Sequence, residues 1–258
     1  MPLVDVAIED SIGTLTMNYG KKHNALCAAL VDDLIIAFGQ LREQRARVAI
    51  LRAVKGVGVW SAGHDINELP LRRDPLGWDD PLRHLIREIE HFPAPVIALV
   101  EGTVWGGGSE TVFACDLVVA APGVTFAVTP ARLGVPYNVT GMLTFLNSAD
   151  IRIVKEMAFT AKPMSAQRAA QLGIINYVVA NDEIEAFTMG LARDIAANAP
   201  LSISVMKEQL RILAGAQTMS PEKFEQVQGL RRIVYDSHDY EEGITAFKEK
   251  RAPKFRGE

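Results

Sequence analysis

Short apolar runs rich in β-branched residues alternate with helical patterns over the first two thirds of the chain. Val4–Ile8, Gly13–Met17, Val48–Leu51, Pro95–Val100, Leu117–Ala120 and Ile174–Val179 read as strands. Several are apolar throughout, as strands covered on both faces tend to be. Between them Leu30, Val31, Leu34, Ile35, Phe38 and Leu41 recur at helical spacing, and Leu82, Leu85, Ile86 and Ile89 do so before a break at His91-Phe92-Pro93. Ser165–Leu172 is expected to form a short helix closed by Gly173.

After about Asp182 the strand pattern stops. Four helices are expected over Asp182–Asn198, Leu201–Leu213, Pro221–Tyr235 and Tyr240–Lys250. The pattern is therefore an α/β core over residues 1–195 followed by an all-helical region over 196–258. Such a tail packs either on a neighbouring subunit or on its own core. No internal repeat, low-complexity tract or long linker interrupts the chain.

Composition narrows the function classes. The chain has 258 residues, 48% of them hydrophobic, which is enough for one large core. A formal charge of -4 speaks against nucleic acid as the main partner, because phosphate binding wants a net basic face. The first residues carry acids and no basic segment ahead of an apolar run, so no signal peptide is expected. The longest apolar stretches, such as Pro95 to Val100, are too short to span a bilayer, so no membrane partner is expected either. Cys27 and Cys115 are the only cysteines, which leaves no disulfide framework and no paired metal-ligand spacing. A soluble cytoplasmic protein is the expectation.

Three segments carry candidate chemistry. Val59-Trp60-Ser61-Ala62-Gly63-His64-Asp65-Ile66 follows an apolar stretch with small residues that let the backbone turn and free its N–H groups. By itself it is no more than a tight turn. Gly106-Gly107-Gly108-Ser109-Glu110 follows the strand at Pro95–Val100 and precedes a helix-forming run, which puts free N–H groups at a positive helix terminus. Glu110 falls in the first helical turn. The third segment, Thr129 to Asn138, is a proline-bearing loop with Tyr137 near its tip, where packing is the commoner use of a tyrosine. The chain has no phosphate-binding G-x-x-x-x-G-K-[ST] loop and no G-x-S-x-G nucleophile elbow. Its five histidines lack metal-binding spacing. Arg72 and Arg73 are candidates to meet phosphate or merely to solvate a loop.

Taken in order, Lys22-His23-Asn24-Ala25-Leu26, Ser61-Ala62-Gly63-His64-Asp65-Ile66, Gly106-Gly107-Gly108-Ser109-Glu110, Leu133-Gly134-Val135-Pro136 and Gly243 to Arg251 resemble the crotonase, or enoyl-CoA hydratase/isomerase, superfamily over essentially the whole chain. The resemblance implies an α/β fold: a spiral of ββα units with a C-terminal helical trimerisation region, in a homotrimer or a dimer of trimers. It implies an acyl-CoA thioester substrate whose carbonyl is polarised by the backbone N–H groups of His64 and Gly107. Contacts to coenzyme A would come from Lys22, Ala25, Ala62, Asp65, Ile66 and Lys250.

One departure selects the reaction. Hydratases of the family use two glutamates; Glu110 matches the first, but Pro130 is followed by Ala131 where the second belongs. Acid–base addition of water is disfavoured without that second carboxylate. His64, Tyr137 and Asp80-Pro81-Leu82-Arg83 instead resemble the family's decarboxylases of (methyl)malonyl thioesters. There the oxyanion hole would stabilise a thioester enolate, Tyr137 would orient the departing carboxylate, and Thr129 would contact the pocket. The proton would come from water placed by His64 or Glu110. No metal, biotin or other resident cofactor is expected, since coenzyme A is part of the substrate. A divergent hydratase or isomerase using Glu110 alone, and a non-catalytic acyl-CoA binder, are the alternatives.

Overall fold

The computed structural model describes residues 2–70, 74–216 and 218–258. Its strands fall into two sheets. The larger has six strands, β1 (Val4–Glu9), β2 (Ile12–Met17), β3 (Val48–Ala53), β5 (Val96–Val100), β7 (Leu117–Ala120) and β10 (Tyr177–Val178), paired in that order. β1 and β2 form an antiparallel hairpin, and every later neighbour is parallel, with Ile12 opposite Val48, Ala49 opposite Val96 and Ile97 opposite Leu117. Parallel strands need crossovers that cover both faces. That is why Val96–Val100 is buried at all five positions.

The second sheet is built from short strands, β4 (Val59–Ser61), β6 (Thr103–Trp105), β8 (Thr125–Ala127) and β9 (Met164–Ser165). Each of β3, β5 and β7 passes directly to the next of these, so the chain repeats a strand, strand, helix unit. The helices are α1 (Ala28–Glu43) after the hairpin, α2 (Pro81–His91) after β4 and α3 (Gly107–Ala114) after β6. The sequence shows no internal repeat, yet the fold does. A topological repeat requires only the same alternation of elements, not the same residues.

Local chemistry sets the helix starts. The Asp80 side chain accepts the Leu82 amide and Pro81 occupies the first turn of α2, whose Leu82, Leu85, Ile86 and Ile89 are buried. Asn138 caps α4 (Val139–Ser148) and Asp150 caps α5 (Ile151–Thr160), two helices the hydrophobic pattern does not announce. The expected strand at Ile174–Val179 shrinks to Tyr177–Val178, because α6 (Ala166–Gln171) ends in a left-handed Gly173 and the chain joins the sheet only briefly.

The four tail helices appear as α7 (Ile184–Ala196), α8 (Pro200–Ala214), α9 (Pro221–Tyr235) and α10 (His238–Lys248). α7 packs on β2, β3, β5 and β7. α8 buries none of its residues. α9 and α10 return to their own core: Tyr235, Tyr240 and Ile244 form a small apolar cluster with Leu76 and Val135. Gly243 lies so close to the Leu133 carbonyl that a Cβ there would collide with its oxygen. The loop that carries Tyr137 is thus clamped by the end of the chain.

Candidate active site

The turn after β4 and the start of α3 meet at two backbone amides. Gly63 holds φ +84, a conformation open to glycine, and its carbonyl accepts the Leu26 amide at 2.8 Å. The Ala62 amide donates to His23 O at 2.9 Å and the Asp65 amide to Leu26 O at 3.4 Å, while Ser61 Oγ accepts the Gly63 amide at 3.1 Å. Every amide around His64 is therefore used, and the His64 amide itself donates to no described residue. Gly106, at φ +51, donates to Ala127 O and opens α3, leaving the Gly107 amide in the first turn with no acceptor among the described residues.

These two amides are neighbours. A Cβ on Gly107 would lie 3.4 Å from the His64 nitrogen, and a Cβ on Gly63 would lie 3.0 Å from the Gly107 nitrogen. The glycines thus serve approach as well as conformation. Two unpaired N–H groups, one at a helix N-terminus, form a site for developing negative charge on a carbonyl oxygen. Thr129 stands alongside, its Oγ1 3.1 Å from where a Gly106 Cβ would be.

The His64 imidazole is not free to place water. Its Nε2 lies 2.7 Å from Asp80 Oδ2 and its Nδ1 lies 3.1 Å from Asp65 O. Burial alone would lower its pKa, but the Asp80 carboxylate and the Asp65 carbonyl outweigh burial and hold it above the ordinary value. Both ring nitrogens thus have partners, and through Asp80 the ring ties this turn to the start of α2.

Opposite lies a buried polar cluster. Glu110, on the first turn of α3, is fully buried, and Arg83 of α2 lies against its Oε1 as an ion pair. Burial pushes the Glu110 carboxyl up while Arg83 pulls it back, with a net rise. Arg83 Nη1 also donates to Thr140 Oγ1 at 3.3 Å. Tyr137 is not a loop tip. Its ring packs edge-on against Phe145 at 5.2 Å, and its buried hydroxyl has no partner among the described residues. Burial raises the phenol pKa well above its usual value, and the Glu110 carboxylate adds to the shift. Tyr137 and Glu110 both reach the backbone at Gly141, where a Cβ would stand 2.7 Å from the tyrosine ring and 3.1 Å from Glu110 Oε1.

Arg83 Nε and Nη2, both Glu110 carboxylate oxygens and the Tyr137 hydroxyl are buried without a well-aligned hydrogen bond among the described residues. Buried polar groups are rarely left so, and several in one place mark a site that completes its bonding with a polar ligand or water. Sequence reasoning missed the roles of Arg83 and Asp80. A charged residue beside an apolar helical stripe is exposed by default, and only the third dimension shows its partner.

The residues expected to meet coenzyme A divide. Lys22 pairs with Asp65 at 2.8 Å, Asp65 also accepts the Asn67 amide and caps the single turn Ile66–Glu68, and Ala25 and Ala62 lie in the strands of backbone stitched around His64. Lys22, Ala25, Ala62, Asp65 and Ile66 therefore share one rim of the turn. Lys250 sits exposed beyond α10, and no hydrogen bond or ion pair among the described residues joins it to that rim. Arg72 and Arg73 lie outside the described residues. Cys27, Asp65 and Glu68 bring ligand-type atoms within 4.8 Å of one another. Both carboxylates are already engaged, Asp65 by Lys22 and Glu68 by the Ala28 amide at 2.9 Å.

The model of the enoyl-CoA hydratase/isomerase family matches residues 7–258. The chain belongs to this family. Within the family it is 50% identical to the methylmalonyl-CoA decarboxylase of Escherichia coli strain K12 over 255 residues, 98% of each chain. A solved methylmalonyl-CoA decarboxylase complexed with 2S-carboxypropyl-CoA matches with TM-score 0.98 and 49% identity, covering 100% of this chain and 99% of that one. Carnitinyl-CoA dehydratase of Salmonella typhi, another member of similar fold length, is 35% identical over 240 residues, 92% of each chain. No helix of the described residues is long and apolar enough to cross a membrane.

Proposed function

We propose that this protein is an acyl-CoA decarboxylase that converts methylmalonyl-CoA, and with it malonyl-CoA, to propionyl-CoA or acetyl-CoA and CO₂. The observation that carries the proposal is the unpartnered Tyr137 hydroxyl beside the Arg83–Glu110 pair, with Glu110 in the same first turn of α3 as the free Gly107 amide. Its similarity to methylmalonyl-CoA decarboxylase supports the same substrate.

The chemistry follows from that placement. The thioester oxygen sits against the two amides. The carboxylate-bearing bond stands perpendicular to the thioester plane, where the Tyr137 hydroxyl holds it, an effect of orientation. The bond from Cα to the carboxylate breaks, CO₂ leaves, and the electron pair becomes an enolate whose charge falls on the oxygen at the amides. One such preorganised donor is worth roughly 3–4 kcal/mol of barrier. The thioester is its own electron sink, so no metal, biotin or other resident cofactor takes part. A water oriented by Glu110, which stays paired with Arg83, then delivers the proton to Cα and leaves hydroxide to the solvent.

A hydratase or isomerase working through Glu110 alone is the second reading, carried by relatives such as carnitinyl-CoA dehydratase. Arg83 engages that glutamate, and Ala131 stands where a second carboxylate is wanted, so we rank it below.

The proposal extends to assembly and place. Residues 1–195 carry the acyl-CoA site and 196–258 serve self-association, as a homotrimer or a dimer of trimers. α8 supports this, since it buries nothing and exposes Leu201, Leu210 and Leu213. Lys250 is assigned to coenzyme A phosphate across such a contact. Two free, buried cysteines accord with the reducing cytoplasm. Incubation with malonyl-, methylmalonyl- and crotonyl-CoA tests the function: decarboxylated products from the first two support it, and hydration of crotonyl-CoA with both malonyl thioesters inert contradicts it.

A further inference from the structure

Arg83 has two faces. Its guanidinium lies on Glu110, but the side chain also lines a half-open cavity of about 670 Å³ between α2, α4, α8 and α9. Glu110, Tyr137, His64 and Gly107 do not line that cavity. Much of its wall is apolar, with Ile86, Phe113, Leu143, Leu210 and Phe224 from five different helices or their flanks. Four of its charged groups pair with one another, Arg231 with Asp74 and Lys207 with Asp116, both at 2.7 Å. Much of it suits hydrocarbon, and Arg83 belongs both to its wall and to the polar cluster.

We propose that Arg83 is the specificity-determining residue that limits the acyl group to a short branch, by walling the acyl pocket off from this apolar cavity. The inference rests on the placement of the acyl group between the two amides and Tyr137. Arg83 is only 4% exposed and bridges α2 to Glu110 on α3 and to Thr140 on α4, closing the seam between those helices. An alkyl branch growing from Cα past Tyr137 meets this guanidinium before it reaches the cavity. To pass, it must break a buried ion pair and strand Glu110, which costs more than a few methylenes return. The excluded class is therefore the long-branched alkylmalonyl thioester.

Binding of unreactive coenzyme A thioethers tests this without requiring turnover, so failure of the decarboxylase reading and failure of the wall are separate results. Calorimetry compares 2-carboxypropyl-CoA with 2-carboxyoctyl-CoA. The unaltered protein and Glu110→Gln, which keeps the wall, should favour the short ligand by about tenfold or more. Arg83→Ala with Glu110→Gln should erase or reverse that preference, and adding Leu143→Trp to fill the cavity should restore it. If the first double variant does not fold, Arg83→Met with Glu110→Leu, which buries no charge, is scored the same way. Equal affinity for both ligands in the unaltered protein, or undiminished discrimination in a folded double variant, overturns the proposal.

Discussion

The imidazole of His64 stands 2.7 Å from the carboxylate of Asp80, whose other oxygen caps the Leu82 amide at the start of α2. One aspartate thus fixes a helix start and the turn that presents an oxyanion-hole amide. Asp80→Ala is expected to lower kcat about tenfold with a smaller change in KM, since the donor is misaimed rather than removed. His64→Ala in that background should add little, because the two side chains act through one contact. Steady-state kinetics over the four-member cycle measure this coupling, and additive losses would refute it.

The same contact makes a pH prediction. The folded His64 pKa is raised above its ordinary 6.5. The native state therefore holds the proton more tightly, and the stabilisation is fully present below about pH 6.5 and lost as pH rises through the folded value. The thermal midpoint should fall across that window in the unaltered protein. In Asp80→Asn the fall should flatten, because the imidazolium loses its carboxylate. An unchanged pH slope in Asp80→Asn counts against the assignment.

Gly63 cannot accept a methyl group. Its φ of +84 disfavours any other residue, and a Cβ would stand 2.5 Å from Trp105 O. Gly63→Ala should push the His64 amide away from Gly107 and lower kcat by roughly 100-fold, the usual consequence of losing one oxyanion donor. Circular dichroism and acyl-CoA affinity distinguish that loss from unfolding.

Tyr137→Phe removes one oxygen and leaves the ring against Phe145. If the hydroxyl orients the departing carboxylate, kcat should fall roughly 10- to 100-fold while affinity for propionyl-CoA, which has no carboxylate, stays the same. Loss confined to KM would instead assign the hydroxyl to ground-state binding.

How far the sequence carried these conclusions differs by feature. β3, β5 and β7 were legible because buried parallel strands write their burial as unbroken apolar runs. β4, β6, β8 and β9 span two or three residues each, too short to show any period. α4 was hidden for another reason: Val139, Thr140, Gly141 and Thr144 are indifferent helix formers, and the Asn138 cap and tertiary packing make the helix. Gly63 and Gly106 could be read as turn glycines because a backbone that must turn or approach closely excludes other residues. Arg83 could not, since its partner Glu110 lies on another helix and no local pattern records the pairing. Tyr137 looked like a loop tip because nothing before the fold shows Phe145 and the C-terminal helices closing over it.

The central claim is that a thioester enolate is formed by loss of CO₂ and held by backbone amides alone. The most direct measurement is turnover of methylmalonyl-CoA by purified protein with a strong chelator and avidin present, following propionyl-CoA and CO₂ together. The account predicts equal amounts of both products at a rate that neither reagent changes. No decarboxylation, or decarboxylation that appears only when metal or biotin is restored, would contradict it.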